Sequence, residues 1–495
     1  MFIFVSVFVA LLVLVLIKYK RAKCKVGFTL LIPVLLLSST YFIFDNTFFR
    51  VLNLFVIPGL IFAMIIMITD EKEKEASFVS KFWALLFGGI ELVDDVGESL
   101  KWSDENTTFK KVMKGIVFSL PLVLIIIVLL ASADSVFYSI FGTIAENFFA
   151  GSLPVNIVRL ALVGVLFFYF AGFMLNIVEN DTKYNDVNKV QRKMGIEISR
   201  FNVNVALTML NIIYLIFSVI QFTFLFTDVA AAEGFNHASY ARQGFFQLTL
   251  VSLINIVMIY VSTVNEGNED TDVSEVKSKK YAKIMNVLMC GFTVVIIISS
   301  FYRMHLYEAA FGYTYLRLFV YFILITELIM MVPTVMFILG ARLKLLRSYI
   351  LIFAAMYLVI NFANIDRLIA RRNIDRYFGG NTSVSIDAWY LRDSVGVDAL
   401  LQMERLLDSS DERARRAVYD YFRYHNARME RRSFSWQEAN ISRSRARMEL
   451  RRIMSSQRFR EVSAEVNSRI ELDNRERREY NQRIIRGGDF YEGNW

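Results

Sequence analysis

The chain has 495 residues, a length that ordinarily makes two or three soluble domains. Its composition excludes that arrangement: 55% of it is hydrophobic, 44 residues are Phe and 5 are Pro, more apolar surface than a water-soluble core can hide and no more than a bilayer accepts. The net charge of +8 is uneven, because residues 363–495 hold 26 arginines, 21 acids and no lysine.

A bilayer core about 30 Å thick needs roughly 20 apolar residues rising about 1.5 Å each. Ten runs come close to this length: 2–17, 26–44, 48–69, 115–131, 153–178, 205–228, 243–264, 281–301, 313–339 and 346–362. The first lacks a basic leader and a small-residue cleavage site, and Lys18, Lys20, Arg21, Lys23 and Lys25 follow it. That asymmetry predicts an uncleaved anchor with its N-terminus outside.

The positive-inside rule tests the order. With the N-terminus outside, the cytoplasmic loops 18–25, 70–114, 179–204, 265–280 and 340–345, with their edges, carry all 19 lysines. The opposite loops, 45–47, 132–152, 229–242 and 302–312, carry only Arg242 and Arg303. The segment Phe82 to Val93 is too short for a further crossing and would invert the lysine-rich loops. It reads as an interfacial or re-entrant helix over 78–92, with Trp83 and Trp102 at headgroup depth. An even number of crossings then places the tail outside as well, against the pull of Arg367, Arg371, Arg372 and Arg376 at the last exit. The expected location is the cell membrane, multi-pass, with both termini extracytoplasmic.

Composition alone places a boundary near residue 363. The tail beyond it has helical periodicity: Ser410-Asp411-Glu412 opens a helix whose Ala414, Ala417, Val418, Tyr421, Phe422 and His425 share one face. Ser435-Trp436-Gln437-Glu438 has the form of a capping box. After it, Leu450, Ile453, Val462, Val466 and Ile470 are sparse among alternating Arg and Glu, which suits a long solvated helix or a weak coiled coil. The expected fold class is therefore all-α: a polytopic membrane protein of about ten transmembrane helices over 1–364, followed by a soluble, Arg-rich helical tail over 365–495.

The run Tyr307-Glu-Ala-Ala-Phe-Gly312-Tyr-Thr314-Tyr-Leu316-Arg317-Leu318 opens a long apolar helix. Beyond the last apolar run stand Asn364-Ile-Asp-Arg-Leu-Ile-Ala-Arg371-Arg-Asn373-Ile-Asp-Arg376-Tyr377, then Asp387-Ala-Trp-Tyr390-Leu391 and Asp398-Ala399. In this order the motifs resemble a bacterial membrane protein family of unknown function, DUF4173 (DUF4153-like). Trp436-Gln-Glu-Ala-Asn440-Ile-Ser442-Arg443-Ser-Arg445-Ala446 is similar to a tail element of some members. The resemblance covers the third apolar run to about residue 450. It implies the architecture and no chemistry.

Ionisable groups inside apolar runs are costly unless paired or hydrated. Glu327 stands mid-run, six residues before Pro333. It is a candidate proton or cation carrier, with Pro333 freeing nearby carbonyls; the plainer reading is a protonated or paired glutamate that joins helices. Arg317, Thr314 and Arg159 are candidates for an outward-facing polar cavity or an anionic headgroup site. The plainer reading is snorkelling or pairing, for instance with Glu308 or Asp134. The asparagines Asn156, Asn176, Asn202, Asn204, Asn211, Asn255, Asn286, Asn361 and Asn364 read as interhelical glue before they read as a pathway.

Cys24 and Cys290 are too few and too far apart for a disulfide framework or a zinc site. His237, His305 and His425 are isolated, so no metal site is expected. Glu91, Asp94, Asp95 and Glu98 read as a solvated acidic face before a cation site. Phosphate-loop, nucleophile-elbow and helix-borne zinc motifs are all missing from the sequence, and no cofactor is expected. In the tail, acids nearly match arginines and no RNA-binding motif occurs. Nucleic acid is therefore not an expected partner; the lipid bilayer, anionic envelope components and other proteins are.

The function these residues support first is that of a non-enzymatic envelope scaffold or sensor engaging partners through its tail. A proton-coupled transporter using Glu327 and Arg317 is the alternative. A membrane-embedded transferase acting on lipid-linked substrates is the second alternative.

Overall fold

The computed structural model describes residues 25–69, 108–134, 137–139, 200–226, 244–264, 273–379, 386–431 and 440–488, with isolated positions before residue 19. No strand occurs among the described residues. The run 153–178 with Arg159, most of 2–17, the interfacial segment 78–92, the acidic cluster at 91–98, His237 and the capping box at 435–438 lie outside them.

The helices that carry the architecture are α1 (Leu31–Ile43), α2 (Thr47–Thr69), α3 (Thr108–Ala133), α4 (Arg200–Phe226), α5 (Phe245–Val264), α6 (Val273–Phe311), α7 (Tyr315–Ile338) and α8 (Leu345–Phe362). The tail continues with α9 (Ile365–Phe378), α10 (Ala388–Ser394), α11 (Leu400–Met403), α12 (Glu412–Arg431), α13 (Ile441–Ser455) and α14 (Gln457–Gly488).

Six of these helices are long and apolar enough to cross a membrane: Thr47–Ile65, Val203–Phe222, Phe245–Thr263, Val276–Phe311, Tyr315–Ile338 and Leu345–Phe362. Shorter apolar helices, Gly27–Ile43 and Leu122–Ala133, occupy the expected runs 26–44 and 115–131. The largest departure from expectation is α6. Residues 302–311, expected in a loop, continue the helix to Phe311, giving 39 residues and a length of roughly 58 Å. No Pro or Gly interrupts the chain between Gly291 and Gly312, and Gly312 stops it with a φ of +79°.

The chain divides into two compact units. One comprises Met1–Thr69, Ala310–Leu318 and Ala354–Trp495, the other Asp70–Ala309 and Phe319–Phe353. In the second unit α3 packs on α4 and α5 around Leu130, Phe137, Leu210, Tyr214, Phe217, Leu248 and Met289. Buried polar side chains cross that core. Arg303, 1% exposed, reaches Asp134 at 2.5 Å and Gln221 at 3.2 Å, and Ser299 donates to Gln221 at 2.6 Å.

In the first unit α1 and α2 form a hairpin through the turn Phe44–Asn46. Its open end is so close that a Cβ on Gly27 would lie 2.5 Å from the Ile68 side chain. The tail is organised by α12, whose Ala414, Ala417, Val418, Tyr421, Phe422 and His425 are all buried, because their spacing keeps them on one face. Asp411 caps this helix, accepting from the Arg413 N–H at 2.8 Å. Asn440 caps α13, accepting from the Arg443 N–H at 2.9 Å. Ala388 of α10 meets Ala414 and Ala417, and three small side chains let the two helices approach closely.

Candidate functional site

Helix ends leave backbone groups without intrahelical partners, and in the first unit several such ends are satisfied by side chains of the tail. The C-terminus of α1 presents the carbonyls of Tyr41 and Phe44. Asn440 Nδ2 donates to both at 2.9 Å, and Arg50 Nη2 donates to the same pair at 3.2 and 3.1 Å. A cation there also suits the negative end of the helix dipole. Asn46 caps α2 by accepting from the Phe49 N–H at 3.0 Å. The N–H of Tyr315, first residue of α7, donates to the Tyr390 hydroxyl at 3.0 Å.

Asn373 of α9 treats the segment before α7 as a neighbouring strand would. Its Oδ1 accepts from the Tyr313 N–H and its Nδ2 donates to the Tyr313 carbonyl, both at 2.8 Å. This works only because residue 312 is glycine: the backbone is left-handed there, and a Cβ would lie 2.4 Å from Asn373 Oδ1.

Two buried acids occupy the centre. Asp45, 5% exposed, is paired with Arg50 at 2.8 Å and with the buried Arg443 at 2.7 Å. Burial alone would raise its pKa, but the Arg443 hydrogen bond and the charges of both arginines bring it below the ordinary carboxylate value. Asp366, 2% exposed, has no such cation among the described residues. It accepts from Asn46 Nδ2 at 2.6 Å, from the Gly396 N–H at 2.7 Å and from the Tyr315 hydroxyl. Burial pushes its carboxyl up to about 6, the three donors only partly opposing, with the charge of Asp398 pushing the same way. Asp398, also raised by burial, accepts from the Ser442 hydroxyl and from the Asp45 N–H. Tyr421 closes the far side by donating to the Gly396 carbonyl at 2.7 Å.

A recess of about 10 Å³ opens among Thr40, Asn46, Asn361, Asp366 and Asp398, room for a single water at most. Among the described residues no group of three His, Cys, Asp or Glu side chains is arranged to hold a metal ion. The arrangement can hold helix ends together and can take up a proton at Asp366.

The residues singled out in the sequence fall in different places. Arg317 and Thr314 belong to the start of α7. Arg317 is 8% exposed, donates to the Gly312 carbonyl and lies 5.9 Å from the Phe311 ring centroid. Thr314 Oγ1 is 3.5 Å from the Arg317 N–H, a long N-terminal contact. Glu327 and Pro333 lie inside α7, in the second unit. Glu327 is 2% exposed and its Oε2 receives Ser252 Oγ at 2.6 Å. Asp134, weighed as a partner for Arg317 or Arg159, pairs with Arg303, because the continuous α6 carries that arginine inward rather than into a loop; Arg159 lies outside the described residues. His425 is buried beside Tyr421, with ring centroids 4.4 Å apart. Asn255 and Asn286 act as interhelical glue, through Tyr214 at 2.5 Å and Ser262 at 2.7 Å.

Sequence reasoning passed over Asp45, Asn46 and Arg50. The signal was present: an acid and an amide in a short turn between apolar runs, with an arginine just inside the next.

One family model matches the chain, over residues 31–406, and its description is Domain of unknown function (DUF4153). The matched stretch covers α1 through the 3₁₀ turn before α12 and stops short of Asn440, Ser442 and Arg443. Of the two family labels that the resemblance raised, DUF4153 is the one matched. No curated protein and no solved structure matches the chain.

Proposed function

Since the chain belongs to the DUF4153 family, for which no activity is assigned, we propose its function from geometry: a non-enzymatic, multi-pass envelope protein, a scaffold or sensor, whose helical tail is docked on the ends of its membrane helices. The observation that carries this reading is the buried bond between Arg443 of the tail and Asp45 of the α1–α2 turn. A buried ion pair is worth little as raw stability but fixes one arrangement against others, which is what a presenting surface needs.

The extracytoplasmic tail is part of the proposal. Lysines cluster at the start of α6 (Lys277, Lys279, Lys280, Lys283) and at Lys344, while the turn at 44–46 and the segment 312–314 hold none. By the positive-inside rule this lysine pattern supports an outside turn and segment, and with them an outside tail, against the pull of Arg367, Arg371, Arg372 and Arg376. Topology reporters fused after residues 380 and 495 test this, combined with a chain lacking 365–495. Outward signals from both, with envelope function lost on truncation, support the reading. Cytoplasmic signals reverse the topology, and a truncated chain of undiminished function removes the scaffold.

Proton-coupled transport is the second reading, and Glu327 favours it, because Oε1 of this buried carboxyl has no hydrogen-bond partner among the described residues. Arg317, held on the Gly312 carbonyl, supports the solute-selecting part of that reading less.

A further inference from the structure

Among the described residues of the second unit, Glu327 is a buried acid with one carboxyl oxygen unbonded. Of the other buried charged side chains described there, Arg303 bonds Asp134 and Gln221, and Glu308 accepts from the Tyr321 hydroxyl at 3.0 Å. Glu327 has one hydrogen-bond partner among the described residues, the Ser252 hydroxyl. On the neighbouring helices neutral side chains bond one another: Thr249 of α5 with Ser300 of α6, and Asn255 of α5 with Thr293 of α6 and Tyr214 of α4.

The position of the serine hydrogen decides the chemistry. Ser252 Oγ lies 2.6 Å from Glu327 Oε2 and 2.9 Å from the Thr249 carbonyl, and a hydroxyl has one hydrogen to give. If Glu327 is ionised, that hydrogen goes to the carboxylate, the Thr249 contact is idle, and a full charge sits in an apolar helix core with a single donor. If Glu327 is protonated, its O–H donates to Ser252 Oγ and Ser252 donates onward to the Thr249 carbonyl. Both short distances are then hydrogen bonds and no charge is buried. A neutral acid is the form an apolar interior accepts.

We propose that Glu327 is an intramembrane proton-binding site which holds one proton at neutral pH and donates it as a hydrogen bond to the Ser252 hydroxyl. Two further hydroxyls on these helices, Thr249 Oγ1 and Ser300 Oγ, are 3.1 Å apart, and both reach the Phe245 carbonyl, at 2.8 and 3.0 Å. The site deepens the transport reading without depending on it, since a proton can be bound without a solute being moved.

Infrared spectroscopy of the full chain in lipid vesicles at neutral pH is the test, comparing the native protein with Glu327→Gln and Ser252→Ala. A protonated-carboxyl carbonyl band in the native protein, lost in Glu327→Gln and moved to higher frequency in Ser252→Ala, is the expected result. Native and Glu327→Gln spectra that coincide in that region overturn the site. A band unmoved by Ser252→Ala overturns the serine contact. If Glu327→Gln fails to assemble, the Ser252→Ala comparison carries the decision alone, because only a protonated partner of that serine shifts. Proton flux is measured separately: a protonated Glu327 without flux keeps the site and removes transport.

Discussion

Arg443 and Asp45 are 398 positions apart in the chain and 2.7 Å apart in space, and both are buried. Removing one charge of a buried pair strands the other. Arg443→Leu leaves Asp45 with the half-buried Arg50 alone and is expected to cost about 3–5 kcal/mol of tail docking. Limited proteolysis of detergent-solubilised protein reads this as faster tail cleavage. Cleavage at the native rate contradicts a structural role for the pair.

Asn440 does two jobs, and one substitution separates them. Asn440→Ala removes both the α13 cap and the donors to the Tyr41 and Phe44 carbonyls, an expected loss of about 2 kcal/mol. Asn440→Ser restores a capping oxygen but no amide donors, and should recover about 1 kcal/mol. Urea midpoints for the two variants decide it, and equal midpoints argue that only the amide donors matter.

Gly312→Ala places a side chain where φ is +79° and where its Cβ would meet Asn373 Oδ1. The left-handed backbone alone costs about 1–2 kcal/mol, and displacing Asn373 adds the loss of two hydrogen bonds to Tyr313. In Asn373→Ala protein the same glycine substitution should cost only the backbone part. Thermal melts of the two single variants and the double variant measure the difference, and strict additivity would show that residue 312 and Asn373 do not interact.

Asp366 and His425 predict opposite pH dependences. Asp366 titrates at about 6 in the fold against an ordinary 3.8, so the native state binds more protons and this contribution is lost as pH rises from 4 to 6. His425 is pushed down to about 4 from 6.5, by burial first and by the charge of Arg428 second. Its contribution is complete above 6.5 and is lost as pH falls toward 4. Each is worth roughly 3 kcal/mol at full extent, and they offset one another. Native stability should therefore vary little between pH 4 and 6.5, Asp366→Asn should become more stable as pH rises, and His425→Phe less. Identical profiles for all three chains would contradict both assignments.

Much of the helix order was legible because burial in lipid or in a tail core writes itself into local pattern. The apolar runs 205–228 and 313–339 became α4 and α7, and the spacing of Ala414, Ala417, Tyr421 and Phe422 gave the buried face of α12. Ends were less legible. Residues 302–311 hold Arg303, His305 and Glu308, and polar side chains in sequence suggest a loop. Here they lie on a helix whose buried members find partners elsewhere: Asp134 for Arg303 and Tyr321 for Glu308.

By itself the sequence determined which segments are too apolar for water and where the lysines stop, since hydrophobicity and charge act through composition and short-range period. Only the tertiary structure decided that Arg443 belongs to Asp45, that Asn46 and Tyr315 hold Asp366, and that Ser252 is the partner of Glu327. Those pairs join segments 51 to 398 positions apart. A hydrogen bond depends on atoms within about 3 Å, and no periodicity along the chain encodes which distant residues the packing of helix ends will bring that close.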